Sequence, residues 1–487
     1  MSAKQHEGSY GHILKYAGLF GGVQGLGILV GLVRNKCVAL LLGPDGMGLV
    51  SLFNSTSTLV SNSTNFGLPM SAVRTVSEEY GRGNGDGIAR SVAIVRLWSL
   101  AAAILGVVAC ALLSPLLSWF TFSWDGHTLH FLLLSPVVGL MAITGCELAI
   151  LKAMRRMRSL VTISLVNMVV SLALSIPLYY FFRIRGIVPT LVLLALSQML
   201  VTVAYSYKVC PPTWRVSRKL WCDGYDMVKL GVAFVVAGIM NSCCEFLIRS
   251  YLNNVAQIGM VGLYNAGFMI SMTYVGLVFS AMETDYFPRL SSVNNLGVTF
   301  RTMVNRQVEV MLLLVSPLLV AFMVSLPVLV PLLFSGKFVP IIDMVRVVIL
   351  AMYFRALKLP VQYIPLAKGD SRSYMFLEVV SECFMLAGVV LLFSQYGLVG
   401  AGWGLFLASL GDLIVTFAYA RWRYGYHLSG RVLVFAAMQL PLGMLAFVAT
   451  SQTKGVVYWA LGMVVLVVSG VYSFVQLRNA RKRNAKG

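Results

Sequence analysis

Charged side chains inside long apolar segments are the residues of this chain that could do chemistry. A charge at the centre of a bilayer costs roughly 3 kcal/mol even on the mildest scale, so such a residue is by default a functional candidate. The cations so placed are Arg34, Arg249, Arg355 and Lys358, and the acids are Glu147, Glu245, Glu378, Glu382 and Asp412. Charges in these positions predict a membrane protein with a polar interior path.

One set of these residues has helical spacing. Asn241, Glu245 and Arg249 follow one another at intervals of four residues, so they share one helix face. The acid precedes the base, which is the favoured order for an ion pair on a helix. A neutralised pair that holds two helices together is one interpretation. The other is a cation that is presented to an anionic substrate and released when the acid protonates.

A second set lies on two consecutive segments. Arg355, Lys358 and Gln362 follow one face of the first, and Glu378 and Glu382 lie four residues apart on the next. These side chains predict either a charge-compensated helix contact or an ion-coupled site. Two further acids, Glu147 and Asp412, stand alone in their segments. Such a carboxyl group is either protonated and hydrogen-bonded or a carrier of coupling protons, and we expect the first.

A polar stripe marks the second apolar segment. Asn54, Thr58, Ser61 and Asn65 lie on one helix face, and the stripe is widened by Ser55, Thr56, Ser57, Asn62, Ser63 and Thr64. Hydroxyl and amide groups commonly bridge packed membrane helices. So many of them together favour a water-filled lumen, where they suit hydrogen bonding to sugars.

The elements that must position these residues are membrane-spanning helices. The chain has 487 residues, of which 58% are hydrophobic and 11% charged, with a mean hydropathy of +0.81. Its apolar runs are continuous and about 20 residues long, enough to span a bilayer as helices. We predict about 14 spans, at residues 14–38, 48–67, 89–119, 128–151, 159–182, 186–207, 227–251, 258–281, 309–334, 342–366, 373–394, 397–420, 432–450 and 456–477.

The charge distribution predicts the orientation. The net charge is +20, and most basic residues flank spans on the side that holds both termini. Cytoplasmic loops carry such an excess of Lys and Arg, so we expect a multi-pass protein of the bacterial cytoplasmic (inner) membrane with both termini in the cytoplasm. The same rule accounts for the basic residues without a nucleic-acid partner.

Several chemistries lack their motifs. The sequence contains no phosphate-binding GxxxxGK[ST] loop, no HExxH and no nucleophile elbow. The five histidines are scattered, and the cysteines show no metal-ligand spacing. We therefore expect neither an enzyme, nor a resident cofactor, nor a metal site.

A short repeat predicts the domain organisation. Gly46–Val50 (GMGLV) opens the second span and Gly259–Tyr264 (GMVGLY) opens the eighth, six spans later. Duplicated bundles are typical of secondary transporters. We predict a six-helix bundle over residues 1–208, a cytoplasmic linker over 209–226, a second six-helix bundle over 227–423, and two further helices with a basic tail over 431–487.

The chain resembles the polysaccharide transporter branch of the multidrug/oligosaccharidyl-lipid/polysaccharide (MOP) exporter superfamily, and within it Wzx-type O-antigen flippases. The similarity covers the first twelve spans and is carried by Leu41–Leu49, Gly262–Tyr264, Phe287–Ser291, Phe334–Phe338 and Leu366–Asp370. The resemblance implies a MATE-like fold of two bundles around a central cavity. It also implies movement of undecaprenyl-pyrophosphate-linked oligosaccharide from the inner to the outer leaflet, with membrane lipids and the polysaccharide polymerase and chain-length machinery as partners.

The resemblance adds two residues to the candidate site. Lys36 falls where this branch often carries a basic residue, and Arg34 falls where the related lipid II flippases carry a lumenal arginine. On this hypothesis the substrate-binding residues are Arg34, Lys36, Asn54, Asn62, Asn241, Arg249, Arg355 and Lys358, and the ion-coupling residues are Glu245, Glu378 and Glu382.

Three alternatives remain open at this point. A lipid II flippase of the same fold is disfavoured because the second span lacks arginine and is rich in amides and hydroxyls. A multidrug or cation exporter would be expected to have a more acidic lumen. A polytopic glycan polymerase would usually show a large outer loop with catalytic residues.

The predicted orientation can be tested by cysteine labelling. In intact cells, a cysteine introduced at Gly126 should react with an impermeant thiol reagent, because the loop before the fourth span is predicted to lie outside. Cysteines at Ser217 and in the C-terminal tail should be protected. Labelling at Ser217 with protection at Gly126 would overturn the topology.

Overall fold

The computed structural model describes residues 3–122, 126–212, 218–276, 278–279, 286, 289–291, 293, 297–453 and 455–484. All regular secondary structure within these ranges is helical. Eight of the described helices are long and apolar enough to cross a membrane. The prediction of an all-α polytopic membrane protein is confirmed, and the number of about 14 spans stays a prediction.

The chain divides into two compact units, and the first comprises Met1–Asn254. Its helices are α1 (Ala3–Thr64), α2 (Leu68–Arg82), α3 (Gly85–Phe122), α4 (Thr128–Ala153), α5 (Met157–Phe182), α6 (Ile187–Val209) and α7 (Arg218–Val255). A single 3-10 turn, Arg183–Gly186, joins α5 to α6.

The second unit comprises Val255–Gly487. Its described helices are α8 (Ile258–Phe268), which continues as a π-helix over Met269–Tyr274, then α9 (Val298–Leu333), α10 (Ile341–Ala367), α11 (Ser371–Tyr424), α12 (Gly430–Gln452) and α13 (Gly455–Asn484). A 3-10 turn, Gly336–Phe338, lies between α9 and α10.

Two of the helices each contain a pair of predicted spans joined at a glycine. In α1 the junction is Gly43, with φ 69°, followed by Pro44. In α11 it is Gly397, with φ 57°. Glycine adopts positive φ without a steric penalty, and proline fits the first turn of the next helical stretch because its missing N–H would have no partner there. The chain therefore turns at these points without a loop.

The sequence analysis did not predict the short helix α2. It follows the polar second span and buries only Leu68, Ser71, Ala72 and Val76. Its apolar face packs into a cluster with residues of α3 and α4, including Val95, Cys146 and Ala149. Its other face is charged, so it did not match the pattern of a spanning helix.

Helix α7 is tied to the first unit along its length. Asn62 Nδ2 donates to Ser242 Oγ at 2.8 Å, and Asn253 Nδ2 donates to the Thr121 carbonyl oxygen, also at 2.8 Å. The backbones of Gly67 and Gly231 meet so closely that a Cβ on either would lie about 2 Å from an oxygen of the other segment. The boundary between the two compact units therefore falls after Asn254, at the end of α7. The sequence repeat instead assigns the span in α7 to the second bundle.

The last two helices are joined by a buried amide. Gln439 on α12 donates to Ser473 Oγ at 2.8 Å and accepts from Ser469 Oγ at 2.8 Å, and all three side chains are buried. The Tyr458 hydroxyl donates to the Val324 carbonyl oxygen on α9 at 2.9 Å. Hydrogen bonds of this kind hold membrane helices together where no hydrophobic force acts between them.

The close packing of the two halves of α11 gives a test of stability. A Cβ at Gly404 would lie 2.3 Å from the Gly388 carbonyl oxygen. Overpacking of this kind typically costs about 1–3 kcal/mol, so Gly404→Ala should lower the thermal unfolding midpoint of the purified protein. Gly470→Ala is the matched control, because a Cβ there meets nothing within 4 Å. Equal midpoints for the two variants would contradict the packing described here.

Candidate functional site

A buried ion pair joins three helices of the first unit. Arg96 on α3 donates to Glu147 on α4 through Nε at 2.8 Å and through Nη2 at 3.2 Å. Ser206 on α6 donates to the same carboxylate at 2.5 Å, and the Arg96 guanidinium stacks 4.4 Å from the centre of the Tyr207 ring. Glu147 is only 2% exposed, so its charge depends on these partners.

A second buried ion pair joins the helices of the second unit. Lys358 Nζ on α10 donates to Asp412 Oδ2 on the C-terminal half of α11. Ser381 on the N-terminal half of α11 donates to the same oxygen at 2.9 Å, and the Thr416 hydroxyl donates to Asp412 Oδ1 at 3.4 Å. Lys358 is 9% exposed and Asp412 is 6% exposed.

These two pairs give Glu147 and Asp412, which stand alone in their own spans, a cationic partner that the sequence analysis did not predict. The partners come from other spans, which spacing along one segment cannot show. The sequence analysis also left Arg96 out of the site. Its signal was present, since Arg96 lies inside an apolar segment as the selected cations do.

The carboxylate of each pair makes one contact between equivalent spans of the predicted repeat. The ion pairs themselves join different spans, the third and fourth in the first unit and the tenth and twelfth in the second. In the first unit the buried contact between Glu147 and Ser206 joins the fourth and sixth predicted spans. In the second unit the contact between Lys358 and Asp412 joins the tenth and twelfth. The fourth and tenth spans are six apart in chain order, and so are the sixth and twelfth, so the two contacts link equivalent spans. The fourth span supplies the acid, whereas the tenth supplies the base.

Glu245 and Arg249 form the pair that their spacing predicts. Arg249 Nη1 lies 2.8 Å from Glu245 Oε2 and 3.2 Å from the Glu245 carbonyl oxygen. The Arg249 side chain is 10% exposed, whereas that of Glu245 is 35% exposed. The carboxylate is thus the more accessible member, and the guanidinium lies behind it.

The two cations of α1 differ in their surroundings. Arg34 is half-buried, and its Nε makes no hydrogen bond within the described part of the chain. It lies near the buried hydroxyl of Tyr179 on α5. Lys36 is half-buried as well. The two side chains point in different directions around the helix, since they are two residues apart.

Some side chains of the polar stripe of α1 are buried in helix packing, and others are exposed. The hydroxyls of Ser55, Thr56 and Thr64 are buried and donate to carbonyl oxygens of their own helix, which is typical of packed membrane helices. Asn62 bridges to Ser242 on α7. Asn54 is exposed, as is Asn241 on α7. Ser63 of the stripe is exposed as well. The stripe therefore keeps one amide and one hydroxyl accessible on α1, and Asn241 adds an accessible amide on α7.

The basic face of α10 separates into three contacts. Lys358 pairs with Asp412 as described above. One turn along α10, Gln362 Nε2 donates to Glu378 Oε1 at 2.6 Å. Arg355 is half-buried, and its guanidinium lies 5.4 Å from the centre of the Phe279 ring. Glu382 is 9% exposed. One contact between the two segments thus joins an amide to a carboxylate.

A polar cluster joins the two ends of α11. Asp370 caps the helix by accepting from the Ser373 hydroxyl at 2.7 Å and from the Ser373 backbone N–H at 3.2 Å, and the Tyr424 hydroxyl donates to it at 3.0 Å. These hydrogen bonds, with Arg423 nearby, hold the pKa of Asp370 below its usual range. Because that pKa is lowered by folding, the cap contributes to stability at neutral pH and loses its contribution as the pH falls through the folded-state pKa.

The arrangement provides charge and hydrogen-bonding capacity inside both units. The pairs neutralise charge inside the membrane, and the accessible amides and half-buried cations can bind a polar or anionic group. In the ranges that the structure describes, no group of His, Cys, Asp and Glu side chains is arranged to hold a metal ion.

Comparison with known proteins identifies the family. The family model described as "Polysaccharide biosynthesis protein" matches residues 13–294, which is more than half of the chain. The chain belongs to this family. No protein of curated function matches the sequence significantly.

Solved structures of MOP transporters share the fold. The lipid II flippase MurJ in an inward closed conformation matches with a TM-score of 0.74 and 12% identity, covering 94% of this chain and 99% of that chain. An inward-facing multidrug resistance MATE family transporter matches with a TM-score of 0.68 and 15% identity, covering 82% and 94%. A MOP superfamily transporter from Pyrococcus furiosus matches with a TM-score of 0.54 and 15% identity, covering 84% and 93%. The predicted MATE-like fold is confirmed.

The buried pair of the first unit can be tested by removing one charge or both. Glu147→Gln leaves Arg96 without its counter-charge, which typically costs about 3–5 kcal/mol, so this variant should unfold at lower temperature or insert poorly. Replacing both, as Glu147→Gln with Arg96→Gln, should recover most of the loss, measured by thermal unfolding of the purified protein. A double variant as unstable as the single one would show that charge compensation is not what the pair provides.

Proposed function

We propose that this polysaccharide biosynthesis protein is a flippase for undecaprenyl-pyrophosphate-linked oligosaccharide, an O-antigen or related surface glycan unit. It moves the substrate from the inner to the outer leaflet of the bacterial cytoplasmic membrane, and both of its termini lie in the cytoplasm. The observation that carries the proposal is the family match over residues 13–294 in a chain with a transporter fold. No chemical step on the substrate is involved.

The substrate consists of an anionic pyrophosphate, a bulky polar glycan and a long polyprenyl tail. The tail can stay in lipid while the head crosses a polar path inside the protein. Moving the pyrophosphate out of water is costly unless cations and hydrogen-bond donors replace its hydration. Half-buried arginines and accessible amides are the side chains that provide both.

The proposed roles follow the chemistry of each group. Arg34, Lys36, Arg249 and Arg355 would offset the pyrophosphate charge, and the amides of Asn54, Asn62 and Asn241 would contact sugars. Lys358 joins the cations only when Asp412 is neutral, since the two are paired in this structure. Glu245, Glu378 and Glu382 are the proposed ion-coupling residues.

The membrane potential supplies part of the driving force. The cell interior is negative, so each negative charge carried outward gains about 2.3 kcal/mol per 100 mV. The outward step with the pyrophosphate therefore needs no ATP. A coupled ion would act when the empty protein changes back to its inward-facing state. In this step a carboxylate would exchange its counter-ion.

A lipid II flippase is the second candidate, because the structure of MurJ, named a lipid II flippase, covers almost the whole chain. The identity of 12% supports the fold and not the substrate. Lipid II and O-antigen precursors share the polyprenyl pyrophosphate and differ in the glycan, so the amide- and hydroxyl-rich α1 is the feature that separates the two hypotheses.

Complementation distinguishes these candidates. The protein should restore surface glycan to a strain that lacks its own oligosaccharide flippase, and it should fail to support growth of a strain depleted of lipid II flippase. The reverse result would favour the lipid II hypothesis. Failure in both strains, with the protein present in the membrane, would overturn the proposal.

The role of Arg249 can be tested with a charge-neutral double variant. Arg249→Gln with Glu245→Gln removes both charges and leaves no buried charge without a partner. If the pair acts in transport, this variant should insert normally while lipid-linked oligosaccharide accumulates on the inner leaflet. The matched control is the exposed i,i+4 pair of α2, Arg74 and Glu78, replaced in the same way, which should export normally. Normal export by the Arg249/Glu245 variant would remove Arg249 from the site.

A further inference from the structure

An apolar groove of about 470 Å³ opens on the surface of the first unit, between α3, α4 and α6. All of its lining residues are apolar. Ile104 and Val108 of α3 are 58% and 46% exposed, whereas Ala103 and Gly139 are buried. These two small residues leave space between the helices that longer side chains would fill. The volume is that of a small-molecule site, for which about 300–1,000 Å³ is usual.

The groove lies at the depth of lipid acyl chains. Val192 and Leu196 line it from α6, which begins at Ile187. With a rise of 1.5 Å per residue, they lie about 8 and 14 Å from that end, and Pro136 lies about 12 Å from the start of α4. One leaflet contributes about half of a hydrocarbon core that is about 30 Å thick. Because the predicted topology places both helix starts outside, the groove follows the chains of the outer leaflet.

Exposed aromatic side chains mark the headgroup level beside the groove. Tyr180, Phe181 and Phe182 end α5, and they are 59%, 74% and 59% exposed. Aromatic side chains collect where a membrane meets water. The 3-10 turn Arg183–Gly186 follows them and leads into α6, so this turn lies at the level of the lipid headgroups.

The same turn carries two exposed cations, Arg183 and Arg185. Outer segments of membrane proteins usually carry few basic residues. No acid accompanies these two along the chain, since the sequence has no Asp or Glu between Glu147 and Asp223. Arg183 Nη1 donates to the Leu41 carbonyl oxygen on α1 at 3.4 Å. Arg185 is the cation nearer in the chain to α6, which lines the groove.

We propose that the first unit binds one anionic glycerophospholipid of the outer leaflet, with an acyl chain in the groove and its phosphate at Arg185. A guanidinium can hold two phosphate oxygens at once. A net negative lipid fits better than a zwitterionic one, because α5, the turn and α6 contain no carboxylate to receive an ammonium group. A lipid that contacts three helices stabilises the first unit by mass action. The proposal does not depend on which substrate the protein moves.

Photoreactive lipids test the site in the full-length protein. Two probes carry the same diazirine-bearing acyl chain, one on phosphatidylglycerol and one on phosphatidylcholine, and labelled peptides are identified by mass spectrometry. In phosphatidylcholine bilayers, the phosphatidylglycerol probe should label residues 103–108 and 192–196 about tenfold more strongly, as expected for one added charge-assisted contact. Equal labelling by the two probes, or no labelling of these residues, would overturn the proposal.

A third probe identifies the chain. Polyprenyl phosphate with a diazirine in its tail has the same type of headgroup charge but the isoprenoid chain of the proposed substrate. It should label the groove less than the phosphatidylglycerol probe does. Stronger labelling by the polyprenyl probe would overturn the proposal and assign the groove to the substrate instead.

Replacing one arginine separates headgroup recognition from chain packing. Arg185 is exposed, so Arg185→Gln should fold normally, and the preference of the groove for phosphatidylglycerol should disappear. Arg156→Gln is the matched control, because this arginine is exposed at the opposite end of α5, and its variant should keep the preference. A preference retained in Arg185→Gln would contradict the role given to that residue.

Filling the groove tests the place of the chain. Val192→Trp should reduce labelling by the phosphatidylglycerol probe to the level of the phosphatidylcholine probe. It should also remove the rise in unfolding temperature that phosphatidylglycerol gives to the wild type. Leu200→Trp, at a position of α6 that is 55% exposed and outside the groove, should behave as the wild type does. Undiminished labelling in folded Val192→Trp would overturn the site, and if this variant does not fold, Arg185→Gln decides.

Discussion

A buried charge in a membrane must meet an opposite charge or enough hydrogen-bonding groups, and this constraint shapes both units of the protein. Removing one member of a buried pair costs several kcal/mol because the other charge is left in a medium of low dielectric constant. Glu147 and Asp412 are 2% and 6% exposed. Each is joined to helices distant in sequence by a cation and a hydroxyl, so these acids fix the packing of the spans that carry them.

The same constraint links structure to the proposed transport. A flippase for a pyrophosphate-linked glycan needs cations that can be exposed to the substrate and then neutralised when the protein is empty. Arg249 with Glu245 and Lys358 with Asp412 are neutralised in this structure. During transport each of these cations would therefore exchange its carboxylate partner for the substrate.

The two units neutralise their buried acids with different cations. A bidentate arginine holds the acid in the first unit, and a lysine holds it in the second. The guanidinium fork fixes the geometry of the first pair through two hydrogen bonds, whereas the ammonium of the second is a compact charge that makes one.

The sequence by itself determined the class of the fold and the residues that merit attention. Apolar runs of spanning length can only be helices in lipid, and the i, i+4 spacing of Glu245 and Arg249 was enough to predict their pair, because both lie on one helix. The family of the chain was visible in short motifs such as Gly262–Tyr264. Local patterns of this kind depend on neighbours within a few residues.

Only the tertiary structure decided which charges meet across helices. Arg96 lies 51 positions from Glu147 in the chain, and Lys358 lies 54 positions from Asp412, so no periodicity relates them. It also decided that α7 packs with the first unit, through contacts such as Asn62 with Ser242. The physical reason is that an apolar side chain can pack against any apolar neighbour. A buried charge needs particular hydrogen-bonding groups, which folding brings within about 3 Å.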